Sequence, residues 1–133
     1  MAAASESPRP TDAETAILGV LWTRGPSTVR QVHEALATRK TGYTTVLKLM
    51  QIMAGKGLAT RDESKRTHVY TAAVDREHVQ ARLADDLVQR AFSGSTSQLV
   101  LRALQSGAAS DAELDEIRTM LDDLQARDDG GES

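Results

Sequence analysis

The sequence has no cysteine among its 133 residues. Disulfide bonds, thiolate metal sites and cysteine nucleophiles are therefore excluded within it, and a cytoplasmic location is expected. Aromatic residues are scarce (one Trp, one Phe and two Tyr), so an aromatic ligand pocket is hard to build. No apolar run approaches the roughly 20 residues of a membrane span. The first residues lack the basic and apolar regions of a signal peptide, and no membrane partner is expected.

Motifs of catalysis are missing as well. The histidines, His33, His68 and His78, do not have the spacing of metal ligands. The sequence has neither a phosphate-binding glycine loop nor a nucleophile motif. Adjacent carboxylates such as Asp85 and Asp86 are neighbours on a helix surface that point apart. The sequence therefore predicts a protein that is not an enzyme and that has no metal or other cofactor.

Charge is unevenly distributed along the chain. The net charge is −3, but residues 1–74 carry ten Lys or Arg against six Asp or Glu, whereas residues 75–133 carry six Arg, no Lys and thirteen acids. A basic part joined to an acidic part indicates two tasks, with phosphate attraction confined to the first. The alternative is a random scatter of charge, and the absence of Lys after Lys65 argues against it.

The N-terminal part is predicted to form helices after a disordered tail over residues 1–10. Thr11 and Glu14 have the spacing of a capping box, which starts the first helix. Ser27 is expected to cap a second helix that runs from Thr28 to about Ala37.

A third helix is predicted from Tyr43 to about Lys56, with Gly57 following its last turn. Two short runs that contain Thr and Val come next, Leu58–Asp62 and Thr67–Thr71, and they favour a β-hairpin. Three helices followed by a hairpin are typical of a winged helix-turn-helix domain, which we predict over residues 11–74.

The remaining chain returns to helical patterns. Asp75 can cap a helix that Ser93-Gly94-Ser95 interrupts, a shorter helix ends at Gly107, and a second capping box, Ser110 with Glu113, opens the last helix. The predicted fold class is mainly α with a small β-hairpin wing, a winged helix-turn-helix domain followed by a helical module.

The last helix has an apolar seam at 3-4-3 spacing. Specificity in small winged-helix units usually comes from pairing two of them on a palindrome. We therefore predict a helical dimerisation module over residues 75–127 and a frayed acidic tail over 128–133. The alternative is that these helices fold back on the first domain. The predicted dimer contacts are Leu99, Leu104, Leu114, Ile117, Leu121 and Leu124.

The third helix is the most informative segment for function. Helical geometry puts one side in the core, namely Val46, Leu49, Met50 and Met53. The opposite side offers hydroxyls, an amide and an ammonium but no acid: it holds Thr44, Lys48, Gln51 and Gly55, with Thr45 and Ile52 flanking it. Such groups contact phosphates and base edges. An ordinary solvated face is the alternative, but its usual mixed Glu/Lys pairs are missing.

Further DNA contacts are predicted around this helix. Lys65 and Arg66 lie at the hairpin tip, where they could contact the sugar–phosphate backbone of DNA. Tyr43 could place its hydroxyl on a phosphate because helix N-termini favour anions, or it could pack against the wing. Tyr70 is interpreted as structural. Arg30 is a candidate backbone contact, and a solvated position explains it equally well.

Several short motifs occur in a fixed order, Leu21-Trp22, Thr28-Val29-Arg30, Gly42-Tyr43-Thr44-Thr45-Val46, Lys56-Gly57-Leu58 and Val69-Tyr70. Their order and spacing, over roughly residues 8–125, resemble the penicillinase-repressor (BlaI/MecI) family. The resemblance implies a homodimeric winged-helix repressor that binds a palindromic operator in double-stranded DNA. It also implies that Thr44, Thr45 and Lys48 face the groove and that Arg66 faces the backbone.

Three departures limit what the resemblance implies. Ile52 stands where the family commonly has Arg, so one contact is missing or is replaced by an apolar contact to a thymine methyl. Arg102-Ala103 stands where antibiotic-responsive members have a cleaved Asn-Phe bond, so the cleavage site is not carried over and a regulatory protease stays unknown. The C-terminal cysteines of copper-responsive relatives are absent.

A different class of function is a winged-helix adaptor that binds another protein and no DNA. The acid-free face of the third helix argues against it.

Overall fold

The computed structural model describes residues 9–36 and 41–131 and divides the chain into two compact units, one up to Ala81 and one from Arg82. The predictions made for residues 1–8, for a helix end at Ala37 and for residues 132–133 lie outside the described residues.

The first helix, α1 (Asp12–Arg24), begins at the predicted capping box. The Glu14 N–H donates to Thr11 Oγ1 at 3.2 Å, and the Thr11 N–H donates to Glu14 Oε1 at 2.9 Å. These two bonds satisfy backbone N–H groups that have no partner within the helix. The helix ends at Gly25, whose φ of 88° favours glycine.

The second helix, α2 (Val29–Ala35), is capped by Thr28 and not by Ser27 as the sequence suggested. Thr28 Oγ1 accepts from the Gln31 N–H at 3.1 Å, and Gln31 Oε1 accepts from the Thr28 N–H at 2.9 Å. The Ser27 hydroxyl instead donates to the Gly25 carbonyl at 2.8 Å. The helix starts one residue later because Thr28 and Gln31 form a complete capping box, whereas Ser27 is occupied in the preceding turn.

The third helix, α3 (Tyr43–Lys56), has the predicted bounds, and Gly57 follows it in the left-handed conformation with φ of 86°. Its apolar side enters the core of the first unit as predicted, although Leu49 is only half-buried. Each large side chain buried there contributes about 1.5–3 kcal/mol. The buried core of this unit consists of Ile17, Leu18, Leu21, Val29, Val32, Val46, Met50, Met53, Leu58, Ala59 and Tyr70.

The wing is an antiparallel pair, β1 (Ala59–Asp62) and β2 (Val69–Ala72), in which Ala59 lies opposite Ala72 and Arg61 opposite Tyr70. Both strands start later than the sequence predicted. Two backbone hydrogen bonds join β2 to Ser27, which precedes α2. The Ser27 N–H donates to the Tyr70 carbonyl at 2.9 Å, and the Tyr70 N–H donates to the Ser27 carbonyl at 2.8 Å.

The fourth helix, α4 (Arg76–Ala91), is capped by Asp75, whose Oδ2 accepts from the His78 N–H at 3.0 Å. The boundary between the two compact units falls inside this helix, between Ala81 and Arg82. Val79, in the first turns, is buried in the first unit.

The second unit continues with α5 (Thr96–Gln105) and α6 (Asp111–Gly131). Ser93 and Gly94, with φ of 51° and 84°, make the predicted break before α5. Ser110 caps α6 by accepting from the Glu113 N–H at 3.1 Å. The helix continues to Gly131, so the segment expected to fray from residue 128 is helical as far as it is described.

Candidate nucleic-acid interface

The outer side of α3 is exposed and free of acids. Thr44, Thr45, Lys48 and Gln51 are all exposed, as predicted, and α3 has no acidic residue at all. Ile52, 42% exposed, adds one large apolar side chain to this surface. The surface can therefore present hydroxyl, amide and ammonium groups together with one aliphatic side chain.

A groove of about 360 Å³ lies between α3, the start of α2 and the wing. One wall comes from α3, where Tyr43, Leu47 and Gln51 repeat every four residues and so lie on one side of the helix. The wing and its turn supply Arg61, Arg66, Thr67, His68 and Tyr70, and the start of α2 supplies Thr28, Val29 and Arg30.

This lining makes the groove basic. It contains three arginines and one histidine, and none of its residues is acidic. Cations that converge in a concave surface attract anions more strongly than cations spread over a convex one, because field lines are focused there. We call the surface formed by these lining residues the wing groove.

Arg61 is the arginine of the wing groove that the sequence analysis missed. Its strand position opposite the buried Tyr70 puts both side chains on the inner face of the wing. Hydrogen bonds with the Tyr70 hydroxyl and with the Glu63 carboxylate raise the pKa of Arg61 above its usual value. The strict alternation of strand side chains, with Ala59 buried two residues earlier, was the signal that could have identified it.

The start of α3 is held by His33. Its Nε2 lies 3.2 Å from the Thr41 carbonyl oxygen, two residues before α3. Its ring also packs edge-on against Tyr43, with ring centroids 5.9 Å apart. An edge-to-face aromatic pair adds about 0.5–1.5 kcal/mol beyond buried area. Tyr43 is thus positioned by α2 as well as by its own helix.

The end of α3 is held by an ion pair. Lys56 Nζ, in the last turn, donates to Glu14 Oε1 at 2.8 Å and to Oε2 at 3.0 Å. Glu14 is 2% exposed, and its carboxylate also caps α1. Burial alone would raise the pKa of Glu14, but the hydrogen bond from Lys56, the bond from the Thr11 N–H and the charge of Lys56 outweigh burial and lower that pKa.

We expect Glu14→Gln to lower the free energy of unfolding by about 1–3 kcal/mol at neutral pH, because it leaves the Lys56 ammonium without its carboxylate. The measurement is urea unfolding followed by the fluorescence of Trp22, the only tryptophan, which lies in the same unit. Glu116→Gln, at an exposed position of α6, is the control. Equal stability of Glu14→Gln and the unsubstituted protein would contradict the assignment.

The ion pair of Glu14 with Lys56 makes the free energy of unfolding depend on pH, and the lowered pKa of Glu14 gives the direction. The folded-state pKa of Glu14 is lowered, so its contribution is fully present above the ordinary Glu value of about 4.3. The contribution is lost as pH falls through the lower folded value. We expect the difference in unfolding free energy between Glu14→Gln and the unsubstituted protein to shrink below about pH 4.

The structure brings together some of the predicted DNA-binding residues and separates others. Tyr43, Gln51, Arg30 and Arg66 all line the wing groove. Thr44, Thr45 and Lys48 lie outside it, on the exposed side of α3. Lys65 lies in the wing turn and does not line the groove. Besides Arg61, the sequence analysis did not include Thr28, Thr67 and His68.

The predicted dimer residues divide into two groups. Leu99, Leu104, Leu114 and Ile117 are half-buried within the single chain. Leu121 and Leu124 are more than half exposed, at 55% and 54%. Other large apolar side chains of the second unit are also exposed, namely Leu87, Val100, Leu101 and Met120. Val88 is the one buried hydrophobic residue of this unit within its described part.

Two further observations bear on the class of protein. Among the residues described, no three or more His, Cys, Asp or Glu side chains are grouped so that they could hold a metal ion. Within the same residues, no helix is long and apolar enough to cross a bilayer.

Comparison with known proteins identifies the family. The model of the penicillinase repressor family matches residues 10–123. The chain is 37% identical over 118 residues to the transcriptional regulator BlaI of Mycobacterium tuberculosis, covering 86% of this chain and 84% of that protein. It is 22% identical over 121 residues to the penicillinase repressor of Bacillus licheniformis, covering 90% of this chain and 94% of the relative.

A solution structure of the DNA-binding domain of the repressor BlaI is 24% identical, with a TM-score of 0.49, and covers 53% of this chain and 88% of that domain. The family match spans both units of the chain and confirms the resemblance drawn from its motifs. The chain belongs to the penicillinase repressor family.

Proposed function

We propose that this protein represses transcription as a homodimer that binds a palindromic operator, with α3 in the major groove of the DNA. Family membership makes the chain a DNA-binding transcriptional repressor and not an enzyme. The homodimer, the palindrome, the cytoplasmic location and the residues that contact DNA are the proposal.

The observation that carries the proposal is the acid-free outer side of α3. Exposed Thr44, Thr45 and Lys48 offer donors and acceptors that suit base edges, and no carboxylate on that helix repels phosphate. The wing groove continues this surface with basic side chains. A winged-helix domain that used α3 to bind an unrelated protein would have no need of a surface without acids.

Exposed Ile52 fits the same role in a different way. It lies on the outer side of α3, one turn beyond Lys48, and an aliphatic side chain there can contact the methyl group of a thymine. We therefore propose that the operator half-site has a thymine at the position that α3 meets with Ile52.

We expect Thr45→Ala and Lys48→Ala to weaken operator binding by about 1–3 kcal/mol each if the residue contacts a base. The measurement is fluorescence anisotropy with a duplex from the promoter upstream of the protein's own gene. Arg127→Ala removes one positive charge from an exposed position of α6 and is the control for Lys48. Unchanged affinity for both α3 variants would mean that α3 does not enter the groove.

The second unit supports the homodimer. Within its described part, this unit has exposed leucines and a single buried hydrophobic residue, so the apolar side chains of α5 and α6 have no core of their own there. A second copy of the same unit would cover those side chains and present two α3 helices to two half-sites.

A further inference from the structure

Arg61 occupies an unusual place for a cation, the inner face of a two-stranded wing. Its side chain is 32% exposed and lies across from Tyr70, which is 1% exposed. Arg61 as a whole residue is exposed, but its side chain is hydrogen-bonded to Tyr70, and both residues line the wing groove. An arginine held between a buried ring and a groove is already restricted before any ligand arrives.

The other polar groups of the groove suit one kind of ligand. Arg30 and Arg66 add two further guanidinium groups, and His68 adds an imidazole. No carboxylate lines the groove to accept a cation or an amine. Guanidinium groups bind tetrahedral anions through paired N–H donors, which makes a phosphate the best match.

We propose that the wing groove binds one phosphodiester group of the operator backbone, with Arg61 as its principal ligand. The proposal rests on the proposed function, since it names the part of the DNA that this groove receives. It differs from the expectation drawn from the sequence, which placed the backbone contact at the exposed wing tip, Lys65 and Arg66.

We rank Arg61 above Lys65 and Arg66 as the phosphate ligand because its side chain is already held in place. Ordering a free arginine side chain costs rotamer entropy, and an arginine that is already held by other groups avoids part of that cost. The Tyr70 ring is anchored by its own backbone bonds to Ser27. Arg61 is exposed, as are residues 63–68 of the turn that holds Arg66, but Arg61 is in addition hydrogen-bonded to Tyr70 and paired with Glu63.

Glu63 holds the site in its DNA-free form. Its carboxylate, 53% exposed, forms an ion pair with Arg61. A phosphate that approaches Arg61 competes with this carboxylate, which is free to turn into solvent because it is exposed. Glu63 therefore weakens DNA binding while it keeps the Arg61 side chain extended toward the groove.

The first test is Arg61→Gln in the full-length protein, with the promoter duplex as the probe. We expect about tenfold weaker binding and a shallower salt dependence, by about 0.9 in the slope of log K against log salt for each protomer. Arg90→Gln is the matched control, because Arg90 also pairs with a carboxylate, Asp86, but lies in the second unit. Arg61→Lys should retain the slope and recover only part of the affinity, since it keeps the charge without the paired donors.

The second test is a double-mutant cycle. Glu63→Gln should strengthen binding severalfold in the unsubstituted protein and have no effect when Arg61 is already Gln. An equal effect in both backgrounds would show that Glu63 acts only through general repulsion of DNA, and it would overturn the role given to Arg61.

Ethylation interference locates the phosphate independently of affinity. One phosphate in each half-site should, when ethylated, weaken binding of the unsubstituted protein and not of Arg61→Gln. An unchanged footprint, or unchanged affinity of a folded Arg61→Gln, would overturn this inference and leave the proposed function standing. Failure of the unsubstituted protein to bind the duplex would overturn both.

Discussion

Leu121→Asp is expected to leave the protein monomeric at micromolar concentration and to lower operator affinity by at least about 100-fold. Leu121 is 55% exposed in the single chain and lies on the 3-4-3 seam of α6. Burial of a leucine side chain contributes about 1.5–3 kcal/mol to the stability of an interface. In a two-fold dimer the same leucine is buried on both protomers, so the substitution removes this contribution twice. An unpaired carboxylate in the same place adds a desolvation penalty of several kcal/mol.

The loss of operator affinity follows from the loss of pairing. A single winged-helix unit contacts one half-site, whereas a dimer contacts two with one association event. Sedimentation equilibrium measures the mass, and anisotropy measures the affinity for the same preparation. Thr119→Asp introduces the same charge on α6 away from the seam and should remain dimeric. A dimeric Leu121→Asp would show that the seam is not the interface.

Affinity for the operator is expected to fall by roughly 10²–10⁴-fold between 50 and 200 mM salt. Each protomer presents four cations to the proposed DNA-binding side, Arg30, Lys48, Arg61 and Arg66, and a dimer presents twice as many. The slope of log K against log salt is about −7 if each cation neutralises its own phosphate, and about −4 if the three arginines of the wing groove share one.

Titrations at several salt concentrations, with a fixed duplex, measure the slope directly. Arg127→Ala should leave it unchanged, since that residue lies on α6. A duplex with the half-sites scrambled should give weaker binding with a similar slope, because non-specific binding is almost entirely electrostatic. Affinity that stayed constant over this range would contradict backbone contact by the first unit.

Element boundaries were predicted well where a local chemical signal marks them. The capping box at Thr11, the glycine after Lys56 and the cap at Asp75 each satisfy free backbone groups within a few residues, so the sequence carries the information. The error at Ser27 has the same origin. Two hydroxyl residues are adjacent, and only Thr28 has a glutamine three residues later to complete the box.

The wing groove was less accessible to prediction, because it depends on contacts between segments distant in sequence. Arg61 and Tyr70 meet only once the hairpin register is fixed, and the turn between the two strands has no Asn-Gly or Asp-Gly pair to set that register. The ion pair of Glu14 with Lys56 joins residues 42 positions apart. Glu14 was assigned a capping role from the sequence, and its second role came from the fold.

The backbone bonds between Ser27 and Tyr70 have a consequence for engineering the repressor. They fix the base of the wing through main-chain atoms, so substitutions other than proline leave both donors and acceptors in place. Residues 63–68 at the tip are all exposed, so their composition and length can be altered with little cost to the core. A library confined to that turn would therefore vary operator affinity over a wide range while the domain stays folded, which makes the wing a natural point for tuning a synthetic genetic switch.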